Sequence, residues 1–128
     1  MPIHLNFVIS STKPKELAHF YAFASEGEAL EGIGSNHWIV VNTDGVEINF
    51  YRSSSETLRQ STQVTIAPCF KSQPSLEPAD FIERWYFSLR EKGASLLKES
   101  KEEIFGSEMW LKDPDGNPFL LWVPKKIN

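Results

Sequence analysis

A single cysteine, Cys69, stands in 128 residues, which excludes an internal disulfide and fits a reducing cytosol. Basic residues are also in deficit, thirteen against seventeen acidic, for a net charge of −4. That sign disfavours a phosphate backbone or an anionic bilayer as the main partner. Apolar runs such as Trp38–Val41 and Phe119–Val123 fall far short of the roughly 20 residues that cross a bilayer. Met1-Pro2-Ile3-His4 leads straight into an alternating segment, so no secretory leader is expected. What is present is 41% hydrophobic and 23% charged residues, the composition of an ordinary folded domain. Aromatic residues reach 12% with four tryptophans, and in a small domain such rings serve either as core or as a ligand platform.

Ile3, Leu5, Phe7 and Ile9 alternate with His4, Asn6 and Ser10, the period of a strand with one face on a core. Ser11-Thr12-Lys13-Pro14 supplies a cap candidate and a first-turn proline. Leu17, Phe20, Tyr21 and Ala24 follow at helical spacing, which predicts a helix to about Ser25. Glu26–Ser35, with three glycines, has room for at most a short strand. Residues 37–42 and 46–52 flank Asp44-Gly45, a strong hairpin signal. The serine-rich run from Ser53 to Thr57 reads as a connection between half-domains.

The order of elements then recurs. Residues 63–70 read as a strand, and Ser75 and Pro78 open a helix with Phe81, Ile82, Trp85, Tyr86 and Leu89 on one side. Gly93 stands where a C-terminal glycine belongs. Residues 94–97 and 103–112 are strand candidates, and Asp113-Pro114-Asp115-Gly116 leads into a strand over 117–123. Asp44-Gly45 matches Asp115-Gly116, and His4-Leu5-Asn6-Phe7 matches Gln63-Val64-Thr65-Ile66, so the second half is twelve residues longer. Two copies of this size are a duplicated module rather than a solenoid.

Two βαβββ modules, the run Asp113-Pro114-Asp115-Gly116-Asn117-Pro118 before the last strand, and Phe20-Tyr21 in the first helix together resemble the vicinal oxygen chelate superfamily. That superfamily includes glyoxalase I, bleomycin resistance proteins and extradiol dioxygenases. The resemblance covers nearly the whole chain and implies an α+β fold, with residues 1–56 and 57–128 as tandem modules of one domain. It further implies a curved mixed sheet around a cavity, with helices on the convex side. Metal-dependent members carry His and Glu ligands at positions that correspond here to His4, Asn49, Gln63 and Leu120. Only His4 is a good ligand among these, and leucine offers no donor, so no metal centre and no cofactor is expected.

Parity assigns the faces of that expected cavity. Across a two-residue Asp44-Gly45 turn, Asn42 would oppose Glu47, Val40 would oppose Asn49 and Trp38 would oppose Tyr51. Trp38, Asn42, Asn49 and Tyr51 then join Asn6, Gln63, Thr65, Leu120 and Trp122 as ligand-binding candidates. His37 would face the other way, and His19 would lie in solvent. Trp110 would face either side according to the length of the second turn. Cys69 reads as a small buried hydrophobe. The expectation is a cytoplasmic homodimer that binds a small organic molecule without metal, nucleic acid or membrane, on the model of bleomycin resistance proteins. The rival is a glyoxalase-like or dioxygenase-like enzyme in which His4 and Glu47 form a base pair or half a metal site.

Overall fold

The computed structural model describes residues 6–32, 34, 36–52 and 67–127. The chain divides into two compact units at residues 63 and 64. In the first, β1 (Asn6–Ser10) leads to α1 (Pro14–Ser25), β2 (Glu28–Glu31), β3 (His37–Val41) and β4 (Glu47–Tyr51). In the second, β5 (Cys69–Lys71) leads to α2 (Pro78–Arg90), β6 (Ser95–Glu103), β7 (Gly106–Lys112) and β8 (Pro118–Pro124). Strand order is β1-β4-β3-β2 in one sheet and β5-β8-β7-β6 in the other. Each sheet therefore pairs its first strand parallel to its last, with antiparallel neighbours beyond. The duplication expected from the order of elements is present strand for strand.

Both helices start by the same device. The Ser11 hydroxyl accepts from the Lys13 N–H at 2.9 Å before Pro14, and the Ser75 hydroxyl accepts from the Glu77 N–H at 3.1 Å before Pro78. Proline at the first helical position gives up no intrahelical hydrogen bond. α1 buries Leu17, Ala18, Phe20 and Tyr21, and Tyr21 stacks on Phe50 of β4 at 5.5 Å. α2 buries Ile82 and Leu89, while Phe81, Trp85 and Tyr86 remain half-buried. Gly93 follows α2 with φ 111°, a conformation that favours glycine. Among the described residues no helix is long and apolar enough to cross a membrane.

The two Asp-Gly turns are copies of one another, and neither is the two-residue turn expected. Asn42 N–H donates to the Val46 carbonyl at 3.2 Å, and Asp113 N–H donates to the Asn117 carbonyl at 2.8 Å. Each turn thus holds three residues inside its closing pair. The Asn42 side-chain oxygen accepts from the N–H groups of Asp44 and Val46. Asp113 accepts likewise from Asp115 and Asn117, and also from the Asn117 side chain at 2.9 Å. Gly45 and Gly116 supply the positive φ, 81° and 89°, that ends such a loop.

One added loop residue reverses the facing of everything paired across the turn, because side chains alternate with period two. β3 and β4 pair Val41 with Glu47, Ile39 with Asn49, Trp38 with Phe50 and His37 with Tyr51. Trp38 therefore lies on the α1 side, 5.2 Å from the His19 ring and with Lys15 over it, rather than beside Tyr51. Asn42 belongs to the turn, its carbonyl oxygen occupied there, rather than to a ligand face.

Smaller differences have equally local causes. β6 is one nine-residue strand with register shifts, and it meets β7 at Ile104-Phe105, so residue 103 ends a strand instead of opening one. Where a strand over 63–70 is expected, β5 starts at Cys69 and runs to Lys71, residues 67 and 68 are not strand, and residues 63–66 lie outside the described residues. Phe7, in register with Ile48, is 43% exposed, so the apolar set of β1 is only partly covered.

Candidate functional site

In the first module, the sheet face turned away from α1 carries Asn6, Val8 and Ser10 of β1. Beside them are Glu47, Asn49 and Tyr51 of β4, and His37, Ile39 and Val41 of β3. Its centre is a buried polar pair. His37 Nε2 donates to Asn49 Oδ1 at 2.8 Å, and both residues are more than nine-tenths buried. The imidazole stacks on Tyr51 with centroids 4.2 Å apart and planes within 7°. A Cβ on Gly32 would collide with the imidazole ring, so glycine there makes the space that the ring fills. His37 is thus central to the face from which the two-residue turn would exclude it. Asn42 and Asp113, each two residues before Asp-Gly, are the sequence signal for the longer turn.

In the second module, β8 alternates cleanly. Phe119, Leu121 and Val123 are fully buried, while Pro118, Leu120, Trp122 and Pro124 point the other way. Trp110 pairs with Leu120 and Glu108 with Trp122, so Trp110 joins the open face. Cys69 and Lys71 of β5 lie beside Leu120 and Trp122. Lys71 Nζ stands 4.8 Å from the centre of the Trp122 ring, and Phe105 meets that ring edge-on at 6.3 Å. The Trp122 indole nitrogen is buried without a hydrogen-bond partner among the described residues. Cys69 is exposed instead of buried. Partial burial, and then the negative charge of Glu108, push its thiol above its ordinary value, which makes it a poor nucleophile.

These residues do not suit the metal that the sequence resemblance brings into question. Leu120 has no donor atom, and the Asn49 oxygen, a weak neutral ligand in any case, already accepts from His37. Among the described residues no three His, Cys, Asp or Glu side chains converge as a metal site. His4, Gln63 and Thr65 lie outside the described residues. Glu47 and Asn6 are register partners on the first open face. The structure thus brings together Asn6, Glu47, Asn49 and Tyr51 in one module, and Leu120 and Trp122 in the other.

This architecture is that of the glyoxalase, bleomycin resistance and dioxygenase proteins. No protein-family model matches the chain, and no curated protein sequence does so. Among solved structures, a hypothetical protein from S. aureus aligns with 96% of this chain and 95% of its own at 13% identity and a TM-score of 0.72. A glyoxalase/bleomycin resistance protein/dioxygenase family enzyme from Burkholderia phytofirmans aligns over 94% and 95% at 18% identity, TM-score 0.62. A glyoxalase/bleomycin resistance protein/dioxygenase from Alicyclobacillus acidocaldarius aligns over 97% and 92% at 13% identity, TM-score 0.59. At these identities the likeness is one of fold, the vicinal oxygen chelate fold, and function is argued from the residues.

Proposed function

We propose that the chain binds a small organic molecule on the open faces of its sheets and does so without a resident metal. The observation that carries this is Leu120. An apolar side chain occupies the position that the resemblance assigns to a metal-ligating glutamate, and it lies between Trp110 and Trp122 in a surface of rings. Rings with a few convergent polar groups are the usual lining of a small-molecule site. The names of the Burkholderia and Alicyclobacillus proteins join bleomycin resistance with glyoxalase and dioxygenase, which supports a binding role as one of the uses of this fold. In this reading the two modules act as one domain, in the cytoplasm, as a homodimer.

The test is thermal unfolding across a metabolite panel that includes bleomycin-like glycopeptides, because a ligand of the native state alone raises apparent stability. A saturable rise in Tm with one chemical class supports the proposal. Elemental analysis of protein purified without chelator is the second arm. One equivalent of Ni, Zn, Fe or Mn per chain, with turnover lost in His4→Ala or Glu47→Ala, would replace it with the metal-dependent enzyme. Light scattering on the purified chain tests the dimer.

A further inference from the structure

Asn49 is more than nine-tenths buried, and His37 is its hydrogen-bond partner through Oδ1. Because the amide oxygen accepts from His37 Nε2, what Asn49 presents to the open face is its NH2 group. Among the described residues nothing accepts from that group. The group is not shut away from solvent, so it stays accessible to an incoming acceptor. On the same face the Ser10 hydroxyl, on the strand paired with β4, is buried without a partner among the described residues, and a buried polar group left so is costly and uncommon. The neighbours of Asn49 in register are Val8 on one side and Ile39 on the other, both apolar.

The charges on this face choose the kind of acceptor. Glu47 lies two residues from Asn49 on the same side of β4. Glu28, paired with Val41, lies on the same side of β2. The described strand residues on this face include no Lys or Arg, so an anion would meet two carboxylates and no counter-charge. We infer that Asn49, held in orientation by His37, is the donor that receives a neutral carbonyl oxygen of the ligand, an amide, lactam or ketone rather than a carboxylate. His37 is the positioning residue. This rests on the reading of the first open face as a ligand face, and it adds the chemical class that the face selects.

Two measurements on the intact chain test it. Imidazole ¹H–¹⁵N spectra of the ligand-free protein should show His37 protonated on Nε2. The Nδ1–H tautomer would reverse the hydrogen bond, turn the Asn49 oxygen outward and overturn the inference. Titration with acetanilide, a neutral aryl amide, should move the Asn49 side-chain amide resonances. N-ethylaniline, which lacks the carbonyl, should leave them in place. Asn49→Asp retains an acceptor for His37 but removes the outward donor, and it should weaken acetanilide at least tenfold. Equal affinity in wild type and Asn49→Asp, or still Asn49 resonances while others move, would sink the inference and leave small-molecule binding standing. Failure of acetanilide together with failure of the whole metabolite panel would remove both.

Discussion

The two modules share a backbone and differ in what they present. Both place a serine hydroxyl before a helix-opening proline, both pair first and last strands in parallel, and both close the last hairpin with an Asx-x-Asp-Gly turn. On the open faces the likeness ends. The first module offers a hydrogen-bonded His37–Asn49 pair with carboxylates nearby, while the second offers Trp110, Leu120 and Trp122 with Lys71 over a ring. What is repeated is what strand pairing and helix starts require. What is not repeated are side chains that the fold leaves free to vary, and there the ligand chemistry is to be sought.

The largest effect should come from the matched cores. Phe50→Ala and Phe119→Ala each remove a fully buried ring, and each should cost about 3–5 kcal/mol in urea unfolding. Losses of similar size within one transition would tie the modules together energetically, whereas two transitions would separate them.

Gly32→Ala should come next. The added methyl collides with the His37 ring and should cost about 1–3 kcal/mol by overpacking. It should also displace His37 from Tyr51, visible as a change in imidazole shifts, while second-module resonances stay in place.

The turns give a smaller and graded contrast. Asp113 is buried and its carboxylate accepts at least three hydrogen bonds, whereas the Asn42 amide oxygen accepts from two described N–H groups and is half-exposed. Asp113→Ala should cost about 1–3 kcal/mol and Asn42→Ala about 0.5–1.5 kcal/mol. Equal losses would break the claim that the second turn is the more strongly braced.

The smallest effect concerns Cys69. Its thiol is raised chiefly by burial, then by Glu108, so iodoacetamide should react more slowly at pH 8 than with an unfolded-chain thiol, and Glu108→Gln should hasten it slightly. The folded chain holds this proton more tightly than the unfolded one. Stability should therefore fall, modestly, as pH rises above the ordinary thiol range.

Much of the fold was legible in the residues. Pro14 and Pro78 mark the helix starts, α1 ends at Ser25 as its spacing predicts, and the alternation over 117–123 predicts which side of β8 is buried. These signals are local, since each depends on a period or on one residue's backbone preference. The candidate site was legible only in part. Asn49, Tyr51, Leu120 and Trp122 keep their expected sides, because their strands alternate strongly. Trp38 and Asn42 do not, and His37, Trp110 and Cys69 could not be placed correctly without the pairing.

By itself, then, the sequence determined the duplicated order of strands and helices, the charge that disfavours polyanionic partners, and the leucine at position 120. Tertiary structure decided the register of both hairpins, and with it which histidine meets Asn49 and which tryptophan joins Trp122. The reason is geometric. A strand's own pattern says which residues share a face, but one residue more or less in the turn decides which face of its neighbour they meet.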